Sequence, residues 1–128
     1  MISREVRGLE RAMDALSARF SADATNIANI NTPHYAPERV NFEQTLADAI
    51  DAVPHGDGLA PVSAANDPLE AFQPTISVDP SHPMRIDGNG VSLEAEMSDL
   101  MKTAEKYNVL ATQIAAQYRN FQFIADAK

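Results

Sequence analysis

Two stretches of the chain repeat apolar residues at seven-residue intervals, and a proline-rich stretch holds them apart. Near the start, Val6, Met13, Phe20 and Ile27 recur every seven positions, with Leu9, Leu16 and Ile30 three residues further on. That spacing predicts one face of a long helix that packs against a second helix. Asp23 interrupts the second series, and Gly8 in a helix interior costs roughly 1 kcal/mol relative to Ala. Ser3 is placed to cap this helix, with Glu5 in its first turn. Near the end, Leu93, Leu100, Tyr107, Ile114 and Phe121 hold one heptad position, and Met97, Ala104, Ala111, Tyr118 and Ala125 the other. Ser92 is the expected cap there, Glu94 and Glu96 suit the positive helix end, and Asp87-Gly88-Asn89-Gly90 reads as the preceding turn. Helices over about 3–30 and 92–126 would run roughly 40 and 50 Å. The two seams are expected to pair, so that Met13, Leu16 and Phe20 face Tyr107, Ile114 and Phe121 within or between subunits.

All eight prolines fall between Pro33 and Pro83. Each would cost about 3 kcal/mol or more inside a helix, so the middle cannot join the two ends as helix. Residues 1–31 are therefore the N-terminal helix, 32–90 a Pro-rich linking region, and 91–128 the C-terminal helix. Within the link, Phe42, Leu46 and Ile50 at four-residue spacing predict a short helix near 42–50, with Asn41 as its cap. Residues 52–86 read as loop with one short strand at Thr75-Ile76-Ser77-Val78. The fold class is mainly α: two long heptad-patterned terminal helices forming a coiled-coil-like hairpin, joined by an extended Pro-rich region.

The second half of the C-terminal helix is apolar almost all round. Val109 and Phe123 lie opposite the seam, and Leu110 and Ile124 flank it. A helix of that kind has to be buried. Either the proline-rich middle folds back over it, or other subunits cover it; we expect the second, with Val109, Leu110, Phe123 and Ile124 as the intersubunit face.

Composition narrows the function mainly by exclusion. The net charge of −8 argues against nucleic acid, whose phosphates need clustered Lys and Arg. Residues 1–30 balance four Arg with four acids, 31–90 set two Arg against nine acids, and 91–128 set four basic residues against five acidic ones. Nearly all the excess is in the middle. The chain has no cysteine, which removes disulfides and thiolate chemistry and leaves the compartment open. The charged N-terminus lacks the apolar core of a cleaved secretory signal, and no run approaches the ~18 apolar residues that span a bilayer, so membrane insertion is not expected.

His34, His55 and His82 stand too far apart in sequence to ligate a metal together. Asp87-Gly88-Asn89-Gly90 opens like a calcium loop, but Val91, Ser92 and Ser98 fall where that loop needs an oxygen ligand, Gly and Glu. Phosphate-binding glycine motifs and a nucleophile elbow are absent, and the acids are dispersed. No catalytic, cofactor-binding or metal residue is assigned, and an enzyme is not expected.

The residues closing the first helix, Asn26-Ile27-Ala28-Asn29-Ile30-Asn31-Thr32-Pro33-His34-Tyr35, resemble the N-x-A-N-x-x-T-P-G-Y motif of flagellar rod and hook proteins. Asp87-Gly88-Asn89, Val91 and Glu96-Met97 resemble the D-G-N-x-V-x-x-x-x-E-M signature of the FlgB type within that family. His34 stands where the family has Gly, and Ala36 where a basic residue is common. Since only Gly takes positive φ without cost, the turn after Pro33 is where this chain should differ. The asparagines can bond local backbone, and Thr32-Pro33 ends the helix.

The resemblance implies a structural subunit of the proximal rod of the flagellar basal body, contributing to motility. It implies export through the flagellar type III apparatus without a cleaved signal, and a place in the periplasmic rod. It further implies as partners the chain itself, the rod proteins FlgC and FlgF, the adaptor FliE, the export gate and the MS ring. The competing reading is a cytoplasmic helical-hairpin export chaperone or adaptor.

Overall fold

The computed structural model describes residues 4–53, 67–79 and 81–127. Its elements are α1 (Arg4–Ala28), β1 (Glu38–Asn41), α2 (Glu43–Ala52), α3 (Pro68–Ala71), β2 (Thr75–Val78) and α4 (Leu93–Asp126). The two terminal helices, of 25 and 34 residues, are about 37 and 51 Å long. They lie antiparallel: Asn26 donates to Glu96 at one end, and the Tyr118 hydroxyl donates to Glu10 near the other. Ser92 caps α4 by accepting from the Ala95 amide at 3.4 Å, as its position in the sequence predicts. The Ser3 cap lies outside the described residues.

The middle folds back, but onto α1. Ala15, Leu16 and Ala22 of α1 form the core with Val40 and Phe42 around β1, Leu46 and Val53 around α2, and Leu69 and Phe72 around α3. α1 is thus clamped from two sides, by α4 and by the link. Three of its arginines tie down the link. Arg7 pairs with Asp67, which caps α3 by accepting from the Leu69 amide at 2.9 Å. Arg11 donates to the Leu69 carbonyl at 2.8 Å and to Glu70 at 2.7 Å. Arg19 donates to the Val40 carbonyl at 2.8 Å, pairs with Glu43 at 2.7 Å and stacks over the Phe42 ring at 4.6 Å. Gly8 has a reason as well: a Cβ there would stand 3.3 Å from Cδ1 of Ile50, so its absence lets α2 close on α1.

The short helix appears as α2, and the strand Thr75–Val78 as β2, which pairs antiparallel with β1 in the register Val40↔Ile76. Two details of the linking region differ from the sequence reading. Asn41 does not cap α2; it ends β1, and Phe42 takes the cap position without a side-chain bond. β1 and α3 were not expected, because each is a four-residue element whose stability comes from α1 rather than from its own pattern.

Candidate functional site

The two family-like motifs, about sixty residues apart in sequence, close on each other at one end of the hairpin. Asn26, in the last turn of α1, is fully buried. Its amide donates to the Glu38 carbonyl at 2.9 Å and to Glu96 Oε2 at 3.0 Å. Its Oδ1 accepts from the Glu38 amide at 2.8 Å and from the Tyr35 hydroxyl at 3.2 Å. Glu96, in the first turn of α4, is also fully buried, and its other oxygen takes 2.7 Å from Arg39 of β1. Every face of these two side chains is therefore satisfied, as burial of polar groups demands.

Asn89 does the same for the turns. It is fully buried, donates to the carbonyls of Asn29 (2.9 Å) and Thr32 (2.6 Å), and accepts from the Val91 amide at 2.8 Å. Its own amide donates to Asp87 Oδ1 at 3.0 Å. That bond is the main cause holding the Asp87 carboxyl below its usual pKa, with help from Arg85. The His34 amide donates to the Asp87 carbonyl at 3.2 Å, and the Gly90 amide to that of Tyr35 at 2.9 Å. Ala28, Thr32 and Pro33 are exposed; they shape the helix exit by backbone bonds and conformation rather than by burial.

His34 holds φ at 60°, the left-handed region that suits the glycine it replaces, and His is among the residues that tolerate it best. Its ring lies over Gly88, itself at φ 77°, where no Cβ would fit. His82 lies against Gly90, and His55 is outside the described residues. Among the described residues no group of three or more His, Asp or Glu is placed to hold a metal ion.

Beside the clasp sits Asp23, the residue that breaks the seam pattern. It is 4% exposed, and its Oδ2 has no hydrogen-bond partner among the described residues. Burial, then the carboxylates of Glu96 and Asp99, raise its pKa to about 6, against the smaller pull of Arg39 and Arg19.

The seam along α4 is rotated from the predicted one. Its deepest residues are Glu96 and Thr103, and Leu110 packs against the core, so a row at 96, 103 and 110 lies beside the predicted one, in which Ala104 and Ala111 are half-buried and Tyr118 reaches Glu10 of α1. Leu100 and Ile114 are half-buried, while Leu93, Met97, Tyr107, Tyr118 and Phe121 remain about 40% exposed. On α1, Val6 and Leu16 are buried and Leu9, Met13 and Ile27 half-buried, whereas Phe20 is 43% exposed. A buried glutamate held by an asparagine and an arginine sets the rotation, which hydrophobic spacing cannot register. The same rotation takes Leu110 off the outer face and toward Phe42 and Ala12. The other three residues of that face are open: Val109 59%, Ile124 64% and Phe123 78% exposed.

A hairpin locked at its closed end, with one long helix left apolar and bare, is built to be completed by other chains. No family model matches the sequence. Curated relatives do, and each is a flagellar basal body rod protein FlgB. The one from Aeromonas hydrophila is 31% identical over 98 residues, covering 75% of this chain and 73% of the relative. That of Borreliella burgdorferi is 28% identical over 123 residues, 90% of each chain. That of Borrelia hermsii is 27% identical over 122 residues, 89% of this chain and 90% of the relative. The chain belongs to the FlgB family of flagellar basal body rod proteins.

Proposed function

We propose that this chain is a non-enzymatic structural subunit of the proximal flagellar rod, that it leaves the cytoplasm through the flagellar export apparatus without a cleaved signal, and that it assembles through α4. The observation that carries the reading is the bare apolar surface of α4 in a chain of this family. From Tyr107 to Ala125 the helix carries a single charge, Arg119, yet Val109, Phe123 and Ile124 face solvent. A monomer has no use for such a surface, and burial of one large side chain is worth about 1.5–3 kcal/mol. The clasp serves the same end by fixing where α1 ends and α4 begins, so every copy presents the helix at one angle.

The partners proposed are further copies of the chain, FlgC, FlgF, FliE, the export gate and the MS ring. Purified basal bodies probed with antibody to this chain test the reading. The chain co-purifies with the rod if the reading holds, and remains wholly in the cytosolic fraction if it is an export chaperone.

A further inference from the structure

We propose that the cleft between α1 and α4 receives Phe123 of a second copy of this chain, and that Arg119 of that copy pairs with Asp14. The inference rests on the rod-subunit reading and names the contact through which copies join.

The cleft has a volume of about 260 Å³, and among the described residues it is lined by α1 and α4 alone. Leu16 and Ala104 contribute its apolar lining, Phe20 and Tyr107 stand half-open beside it at 43% and 40% exposure, and Ser17 and Ser21 supply uncharged polar groups. Two aromatic rings left open across an apolar cleft are the usual setting for a large apolar anchor.

Phe123 is the most exposed aromatic residue among those described. It lies 16 residues beyond Tyr107 on the same helix, about 24 Å away, so it cannot enter its own cleft. Donor and acceptor are then different patches of one chain. A contact of that kind is heterologous and repeats, giving a closed ring or a helical array rather than a two-fold dimer.

Charge fits the same pairing. Asp14 lies on the stripe of α1 that carries Ser17 and Ser21, with its side chain 65% exposed. Arg119 stands one turn before Phe123, on the same stripe of α4. Asp14 already pairs with Arg11 of its own helix at 3.1 Å; the seating of Phe123 beside Ser17 brings Arg119 to the exposed side of that carboxylate as a second cation.

Area decides how strong one contact is. Phe123, Ile124, Val109 and Met101 at 59–78% exposure, with the four half-open aromatics, amount to on the order of 800 Å² per chain at the ~150–250 Å² that a buried aromatic contributes. That equals one partner's share of a standard interface, but here it is divided between a donor and an acceptor face. A single contact is weak, and only the closed or extended array is stable.

The chain has no cysteine, so paired cysteines report cleanly. In basal bodies purified from cells carrying Phe123→Cys with Ser17→Cys, oxidation should join neighbouring copies at least tenfold more than Phe123→Cys with Ile86→Cys. Arg119→Cys with Asp14→Cys, which leaves Phe123 in place, should do the same. Asp14→Arg should lower incorporation tenfold or more, and Arg119→Asp added to it should restore it. Absence of the unsubstituted chain from basal bodies would overturn the rod reading itself. A chain present in normal amount, with both pairs joining no better than the control and the charge reversal giving no recovery, would overturn this contact alone.

Discussion

Replacing Asn26 by alanine removes four hydrogen bonds from the closed end of the hairpin at once. Three are neutral, each contributing about 0.5–1.5 kcal/mol, and the one to the Glu96 carboxylate about 1.5–3 kcal/mol. The sum, about 3–7.5 kcal/mol with a midpoint near 5, overstates the loss, because one side chain makes all four and water can enter the space left. Alanine also favours the helix over asparagine by about 0.6 kcal/mol. The net loss should be about 3–4 kcal/mol, a large part of the 5–15 kcal/mol that holds a typical domain together. In urea, with a slope of about 2 kcal/mol/M, the midpoint should fall by about 1.5–2 M at unchanged slope. Asn26→Asp should be at least as damaging at pH 7, since it sets a second carboxylate against buried Glu96, and should recover in part at pH 4. A loss below about 1 kcal/mol for Asn26→Ala would show that the clasp does not hold the helices together.

Asp23 has its folded pKa raised to about 6 from 3.8, so its protonated form is the one the fold prefers. Its stabilising contribution is full below pH 3.8 and lost as pH rises through 6. The carboxyl borders a groove open to solvent, which discounts the full value to about 1–2 kcal/mol. Asp23→Asn should therefore exceed the parent in stability by that much at pH 7.5 and match it near pH 4; equal stability at both would refute the burial penalty. Leu69→Ala, at a fully buried site, should cost about 2–5 kcal/mol by thermal or urea unfolding, whereas fully exposed Ile86→Ala should change little. His34→Gly relieves a left-handed backbone but loosens the unfolded chain, so its stability should stay within about 0.5 kcal/mol of the parent. His34→Val should lose about 1–2 kcal/mol, and a neutral His34→Val would show that φ is not held positive there.

The terminal helices, the Ser92 cap, the short helix and the strand Thr75–Val78 were all legible, because each depends on local spacing, a capping residue or proline. The clasp was half legible. Both motifs stood out as strings, but that Asn26 reaches Glu96 and Asn89 reaches Thr32 is a matter of tertiary approach, and no periodicity carries it. Asp23 looked like a flaw in the seam, yet it is buried, as is Glu96. A polar residue at an interior position reads the same as an error until its partners are seen. The arginines at 7, 11 and 19 entered the sequence reading only as a charge balance, whereas they hold the link to α1. Val109, Phe123 and Ile124 were legible as an apolar surplus, and Leu110 was misplaced because Glu96 turns the helix.

The assembly face of α4 is tested most directly by incorporation of Phe123→Asp. Phe123 is 78% exposed in the lone chain, so the substitution should leave fold and export intact, with an unfolding midpoint equal to that of the parent. Basal bodies isolated from such cells should lack the chain and the rod above it, and the cells should not swim. Complete basal bodies containing the variant, in cells that swim normally, would contradict assembly through this face.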